Sequence, residues 1–286
     1  MSTPAILQSI DYVLMAAGCL LLVAGPIWIT MRGKWASVAA LPPLPANRLE
    51  ATDVVFALIC SFILPALVAQ IFTLVGWDVP PKPSASEELP FARLGETTLG
   101  ITLAIAVLIA IGHARFEGGL RGWGLGLERS SRILLLAVLS YILAVPVCFA
   151  LLKASTYILE LSGHPSRQHA TITMLLDPST PRAMRILAVL NAVVLAAVAE
   201  ELLFRGILLP ALANWSRSPW TGILISSVIF GLIHSPYFNT VVPLAAFGVI
   251  LGYLYARTGS LSLAILTHAL FNAKTVLWIL LGASPE

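Results

Sequence analysis

The amino-acid sequence predicts an all-α membrane protein with about eight transmembrane helices. Three observations support this fold class: 58% of the 286 residues are apolar, only 11% are charged, and the mean hydropathy is +0.90. A soluble domain usually has about 25% charged residues, so this chain has too few polar side chains to cover a water-facing exterior. We therefore expect an integral, multi-pass protein that has the lipid bilayer as its surroundings.

Eight apolar segments are each interpreted as one helical span, because a helix satisfies its backbone groups internally within lipid. They cover residues 12–30, 54–75, 98–112, 133–152, 186–209, 222–234, 241–255 and 261–281. A span needs about 20 residues. The third, sixth and seventh segments are shorter, so we expect them to be tilted, re-entrant or extended. Residues 1–182 are interpreted as N-terminal helices and loops, and residues 183–286 as the core, within one integrated membrane domain.

The charges and the glycines of the loops give no indication of a nucleic-acid or phosphate partner. The formal net charge is only +3, and no basic run with interleaved aromatic residues is present, so nucleic acid is not an expected partner. The glycine-rich stretch 118–126 lacks the pattern of a phosphate-binding loop. We interpret that stretch as a flexible connection.

Polar and ionisable residues are concentrated in the last four apolar segments. The first four segments contain almost none. The last four contain Glu200, Glu201, Arg205, His234, His268, Asn272 and Lys274. A charge at the centre of a bilayer costs at least ~2.5–3.5 kcal/mol on insertion scales, so this concentration indicates a functional core.

The fifth segment contains two adjacent acids and one base. Glu201 and Arg205 are four residues apart on one helix face, with the acid first, which is the favourable order for an ion pair. Glu200 points about 100° away from Glu201 and has no partner in its own helix. A carboxylate without a partner in a low-dielectric environment is suited to accept or donate a proton.

Two histidines and an asparagine lie on the neighbouring segments. His268 and Asn272 are four residues apart, so both project from one face of the last helix, and His234 ends the sixth segment. A single histidine in an apolar helix is more often a satisfied structural residue than a catalyst. Two histidines, an asparagine and an unpaired glutamate on three helices indicate a candidate catalytic core in the last four helices.

These motifs together resemble the CPBP family, which includes the CAAX-processing, Ras-converting endopeptidases. The resemblance rests on Glu-Glu-x-x-x-Arg at 200–205, Phe-x-x-x-His at 230–234 and His-x-x-x-Asn at 268–272, in this order. The stretch Arg-Thr-Gly-Ser-Leu at 257–261 is also similar to the family. The resemblance covers residues 187–272 and implies a membrane-embedded endopeptidase.

The resemblance also implies roles for individual residues. Glu200 matches the glutamate that activates water, and His234 the residue that orients or shares its proton. His268 and Asn272 match the pair that stabilises the oxyanion of the tetrahedral intermediate, and both carry N–H donors suited to that task. Three further residues, Glu201, Arg205 and Phe230, are expected to surround this group and hold the helices in register.

A zinc-dependent mechanism with the same residues is the alternative chemistry. Glu200, His234 and His268 together form a familiar catalytic zinc set with an open position for water. The sequence contains no His-Glu-x-x-His motif, so we predict a metal-free mechanism without a cofactor, with zinc as the alternative.

Two other functional classes fit part of the pattern. A transporter would also gather polar residues between helices, but it predicts inverted repeats, and the sequence shows none. A non-catalytic scaffold or bacteriocin-immunity protein would be expected to lack motif residues, whereas all of them are present.

The expected partner is a peptide or a prenylated protein C-terminus, in the bacterial cytoplasmic membrane. Lys274 is interpreted either as a contact to a substrate carboxylate or as a paired or snorkelling lysine.

Overall fold

The computed structural model describes residues 3–75, 91–126, 130–163, 174–177, 180–235 and 237–281. Within these ranges the chain is helical, and its only β-type pairing is an isolated bridge between Asn47 and Phe116. The main helices are α1 Thr3–Met31, α2 Ala51–Phe62, α3 Leu64–Leu74, α4 Phe91–Arg115, α5 Ser130–Leu161, α6 Arg182–Ser216, α7 Pro219–Leu232, α8 Phe238–Thr258 and α9 Leu261–Leu280. The all-α membrane class is confirmed.

The predicted number of eight spans is not confirmed. Among the described residues, six helices are long and apolar enough to cross a membrane. The bent pair α2 and α3 would make a seventh span, with 42° between its two halves. Pro65 lies in the first turn of α3 and cannot donate to the helix ladder, which explains the break. Pro65 packs directly against Gly100 of α4.

Two of the three segments predicted to be short are extended in the structure, and the third is short. The segments expected to be short at 98–112 and 241–255 are parts of α4 and α8, which have 25 and 21 residues. Polar residues extend these helices beyond their apolar runs. In contrast, α7 has only 14 residues. It ends before His234, which follows the helix in a turn.

The junction between α8 and α9 explains the stretch at 257–261. Gly259 ends α8 with φ +66°, a left-handed conformation that favours glycine. Ser260 then caps α9, because its hydroxyl accepts from the backbone N–H of Leu263 at 3.2 Å. Residues of this stretch therefore form the tight turn that places α9 beside α8.

The core lies among α2 and α4 to α9, and α1 is peripheral. Only 6% of the span window in α1 is buried, compared with 33–39% in the windows of α4, α5, α6, α8 and α9. The main buried cluster combines residues from both sides of position 182, including Leu108, Cys148, Phe204 and Phe247. The predicted division at residues 182 and 183 stays a prediction.

Candidate active site

Helix α6 carries the two glutamates between two π-helical stretches, and Arg205 within the second of them. The stretches are Asn191–Leu195 and Leu202–Leu208, and the α-helical segment Ala196–Glu201 lies between them. π-helical turns are rare and frequently occur at functional sites, because they change the direction of side chains within a helix. Glu200 and Glu201 therefore end the short α-helical segment immediately before such a turn.

Glu201 and Arg205 form a completely buried ion pair. Arg205 Nη1 donates to Glu201 Oε1 at 2.8 Å, and both side chains are 0% exposed. Arg205 Nη2 also donates to the carbonyl of Gly248 in α8, at 3.1 Å. A Cβ atom at Gly248 would lie 3.1 Å from Arg205 Nη2 and 2.9 Å from Ser227 Cβ. The missing side chain of Gly248 therefore gives the guanidinium room between α6 and α8.

His268 lies between the two glutamates. Its Nδ1 is 2.8 Å from Glu201 Oε1, and its Nε2 is 3.8 Å from Glu200 Oε2. An ionised carboxylate only accepts hydrogen bonds, so Nδ1 carries a proton and donates it to Glu201. Glu201 thus contacts the candidate catalytic residue His268 directly. The sequence predicted only that Glu201 holds the helices in register together with Arg205. Glu200 is the more accessible acid, with 26% of its side chain exposed.

Aromatic rings enclose this group of charges. The Arg205 guanidinium carbon lies 4.6 Å from the ring centroid of Phe230, which itself contacts Phe204 edge-on at 5.2 Å. His268 meets Phe230 and Phe247 in edge-on contacts at 5.9 and 5.4 Å. Such walls exclude water and lower the local dielectric, which strengthens the electrostatic interactions inside them.

His234 joins the group through Phe230. Its Nδ1 donates to the carbonyl of Phe230 at 2.8 Å, because a carbonyl oxygen can only accept. The rings of His234 and Phe230 are in edge-on contact at 5.2 Å. In the described part of the chain, His234 has no direct polar contact with Glu200 or His268. The neutral ring would present its Nε2 as an acceptor.

Asn272 also contacts α6, one helical turn beyond His268. Its Nδ2 donates to the carbonyl of Ala192 at 2.9 Å, within the first π-helical stretch. The neighbouring Asn191 bonds the hydroxyl of Thr98 in α4 at 3.0 Å. One N–H of the Asn272 amide is therefore used structurally, and its second N–H is left for another acceptor.

The residues of the zinc alternative are not arranged as a ligand set. No group of three or more His, Cys, Asp or Glu residues within the described ranges could hold a metal ion. Glu200 and His268 are neighbours, and the Nδ1 atoms of His234 and His268 bind Phe230 and Glu201, which leaves each Nε2 atom as the remaining ring donor. The metal-free mechanism, with zinc as the alternative, stays a prediction.

Lys274 is paired at a separate location, between α9, α1 and α5. Its Nζ lies 3.8 Å from Asp11 Oδ1 and over the rings of Trp278 and Phe149, at 4.5 and 5.2 Å. Trp278 Nε1 donates to the same Asp11 oxygen at 3.1 Å. The structure agrees with the interpretation of Lys274 as a paired lysine.

Two residues near the site were not identified from the sequence. Gly248 accepts from Arg205, and Trp123 donates its indole N–H to the carbonyl of Gly206 at 2.8 Å. Trp123 is completely buried, so the interpretation of stretch 118–126 as a flexible connection is wrong. The signal available in the sequence was a tryptophan within the glycine-rich stretch 118–126, together with the glycine that directly follows Arg205.

Comparisons with known proteins match the same part of the chain. Residues 182–274 match the family described as type II CAAX prenyl endopeptidase, Rce1-like. An Escherichia coli protein named "Uncharacterized 24.3 kDa protein" is 37% identical over 109 residues, which cover 37% of this chain and 48% of that protein. "Putative membrane peptidase YdiL" of Bacillus subtilis (strain 168) is 31% identical over 96 residues, covering 34% of this chain and 38% of that protein.

These matches span less than half the length of each relative. No solved structure matches the chain significantly. The matched region begins with α6 and contains every candidate residue from Glu200 to Asn272. The resemblance predicted from the motifs is therefore confirmed over residues 182–274, which are similar to the Rce1-like type II CAAX prenyl endopeptidases.

Proposed function

We propose that this protein is a membrane-embedded endopeptidase of the CAAX type, located in the bacterial cytoplasmic membrane. The observation that carries the proposal is His268 held between Glu200 and Glu201, within the residues that match the endopeptidase family. The substrate is a peptide or a prenylated protein C-terminus that reaches the site from the membrane. The bacterial location is supported by the organisms of the two relatives.

The charges of the site balance when His268 is protonated. Glu200 and Glu201 then carry two negative charges, and Arg205 and His268 carry two positive charges. The total stays zero when the proton moves from His268 Nε2 to Glu200, whose Oε2 is 3.8 Å away. Either arrangement avoids a net charge, which is costly in low dielectric.

Glu200 supplies the acid–base chemistry of peptide hydrolysis in this mechanism. Glu200 in its ionised form removes a proton from water, and the water oxygen attacks the scissile carbonyl carbon. The carbonyl oxygen becomes an oxyanion, for which the Nε2–H of protonated His268 and the second N–H of Asn272 are the candidate donors. The C–N bond breaks as the proton held by Glu200 passes to the leaving nitrogen. The products are a carboxylic acid and an amine.

The remaining residues act on these groups. Glu201 accepts from His268 Nδ1 and so orients the imidazole, while Arg205 fixes Glu201 by a hydrogen bond of 2.8 Å. His234, whose Nδ1 is bound to the Phe230 carbonyl, keeps its Nε2 as an acceptor and is the candidate for sharing the proton of Glu200 through water. This mechanism uses no metal, and the rate of cleavage in the presence of a chelator tests that part of the proposal.

The test is cleavage of a quenched fluorescent, prenylated CAAX peptide by the purified protein in detergent. Glu200→Gln keeps the size of the side chain and removes the base, so we expect the rate to fall by about 100-fold to 10,000-fold. Glu160→Gln, at the exposed end of α5, is the matched control and should keep the rate of the unmodified protein. A chelator should leave the rate unchanged.

Three outcomes would change the proposal. Loss of activity on chelation, restored by zinc, would replace the metal-free mechanism with the zinc alternative. Equal rates for Glu200→Gln and Glu160→Gln would remove Glu200 from its role. Absence of cleavage by a folded wild-type protein, with both the prenylated peptide and its unprenylated form, would reject the CAAX-type substrate and favour the scaffold class.

A further inference from the structure

Trp123 is completely buried although it belongs to the glycine-rich loop between α4 and α5. Gly118, Gly119 and Gly124 have φ values of +80°, +60° and +95°, in the left-handed region that favours glycine. The backbone N–H of Trp123 donates to the carbonyl of Gly119 at 2.9 Å. The glycines therefore shape a tight, fixed turn that directs the indole toward the helices.

The indole lies in a notch between α4 and α6. A Cβ atom at Gly112 of α4 or at Gly206 of α6 would approach ring atoms of Trp123 closer than the 3.0 Å that real Cβ atoms keep. Two glycines on facing helices are thus required for the ring to fit. Trp123 precedes the matched residues 182–274, so the N-terminal half contributes this contact to α6, the helix that carries Glu200 and Glu201.

The indole also makes a polar contact with the backbone of α6. Trp123 Nε1 donates to the carbonyl of Gly206 at 2.8 Å, in a completely buried position. Gly206 belongs to the π-helical stretch Leu202–Leu208. The change from i→i+4 to i→i+5 hydrogen bonding disturbs the backbone ladder, and an inserted side-chain donor is one way to stabilise such a disturbance.

The position of this π-helical stretch connects Trp123 to the ion pair. The stretch begins directly after Glu201, and Gly206 directly follows Arg205. The conformation of these turns therefore sets the angle at which Arg205 meets Glu201, and Glu201 in turn holds His268 Nδ1 at 2.8 Å. A relaxation of α6 to a regular α-helix would change that angle.

We infer that Trp123 is a positioning residue for the candidate active site. Its indole N–H holds the Gly206 carbonyl in the π-helical turn, and the turn keeps Glu201 and Arg205 aligned with His268. The effect on catalysis rests on the proposed function. The effect on the environment of His268 does not, because that environment exists without a substrate.

The experiment compares Trp123→Phe with Trp220→Phe. Trp220 Nε1 also donates to a backbone carbonyl, that of Ala39 at 2.9 Å, so both substitutions remove the same kind of hydrogen bond. Two readouts are recorded: the ring ¹⁵N resonances of His268 in histidine-labelled protein, identified by their loss in His268→Gln, and the values of kcat and KM for the CAAX peptide.

We expect Trp123→Phe to shift the His268 resonances and Trp220→Phe to leave them unchanged. Because small misplacements of catalytic groups are costly, kcat of Trp123→Phe should fall by about 10-fold to 100-fold while KM stays nearly constant. Unchanged His268 resonances together with an unchanged kcat would overturn the inference. If the wild-type protein cleaves nothing, the proposed function fails, and the resonances alone decide the role of Trp123.

A second variant covers the case in which Trp123→Phe does not fold. Benzothienylalanine at position 123 keeps the shape of the indole and replaces the N–H by sulfur. The same shift of the His268 resonances is expected, because only the hydrogen bond to Gly206 is lost. Resonances identical to those of the wild-type protein would show that the ring packs there without positioning the site.

Discussion

The group around Arg205 and the group around Lys274 contain the same chemical parts in different surroundings. Each has an acid, a base and aromatic rings between membrane helices. The Arg205–Glu201 pair is 0% exposed and joined at 2.8 Å. The Lys274–Asp11 pair is 13% and 23% exposed and separated by 3.8 Å. The difference shows that position within the helix bundle decides how strongly a charge depends on its partner.

The surrounding helices account for this difference. Arg205 lies between α6 and α8, where Gly248 leaves room for its guanidinium and accepts one of its hydrogen bonds. Asp11 belongs to α1, of which only 6% of the span window is buried. The Lys274–Asp11 pair is therefore less enclosed by other helices than the Arg205–Glu201 pair. Four predictions test this comparison.

The largest expected effect is that of Arg205→Met. Removing the base leaves Glu201 buried without its ionic partner, so the free energy of unfolding should fall by about 3–5 kcal/mol. The measurement is unfolding of the purified protein in mixed micelles of increasing SDS content. Lys274→Met is the control and should lose at most about 1 kcal/mol. Equal losses for the two variants would contradict the distinction between the groups.

A smaller effect is expected for Gly248→Ala. The added methyl group would lie 2.9 Å from Ser227 Cβ and 3.1 Å from Arg205 Nη2, so the helices must move apart. Overpacking of this kind should lower the free energy of unfolding by about 1–3 kcal/mol. The same micelle titration measures it. A variant as stable as the wild-type protein would show that α8 does not confine the guanidinium.

Asp11→Asn should have an effect of at most about 1 kcal/mol on the free energy of unfolding. The pair with Lys274 is long and partly exposed. The remaining amide oxygen of the variant can still accept from Trp278 Nε1, which is 3.1 Å from Asp11 Oδ1 in the wild-type protein. A loss as large as that of Arg205→Met would place Asp11 among the essential residues of the fold.

The smallest effect is expected for Gly95→Ala in α4. Apart from the adjoining backbone of α4, no atom lies within 4 Å of the position that its Cβ would occupy, and alanine favours the helix over glycine by about 0.5–1 kcal/mol. The free energy of unfolding should therefore stay the same or rise slightly. The contrast with Gly248→Ala isolates packing, since both substitutions add the same methyl group to a membrane helix. A marked destabilisation would indicate a partner on this face of α4.

Much of the fold and part of the site could be predicted from local sequence patterns. Hydropathy identified the helical segments, because a helix that crosses the lipid bilayer requires a run of apolar residues whichever helices are its neighbours. Helical spacing placed Glu201 and Arg205 on one face of α6 and put His268 and Asn272 on one face of α9, which the structure shows directed toward α6. These relations depend only on residues within one helix.

Relations between helices were decided by the tertiary structure. Glu201 and His268 are 67 positions apart, and Trp123 and Gly206 are 83 positions apart. No local spacing predicts such contacts, because they depend on how far two helices approach and how each is rotated. The glycines at 112, 206 and 248 permit those close approaches, but their partners are visible only once the helices are packed.

The sequence by itself thus determined the membrane class, the concentration of polar residues in the last four segments and the ion pair within α6. Only the tertiary structure decided that His268 lies between both glutamates and that Trp123 supports the π-helical turn. The physical reason is that hydropathy and helical periodicity are properties of one segment. The orientation of His268 and the burial of Trp123 arise from packing between segments that are distant in the chain.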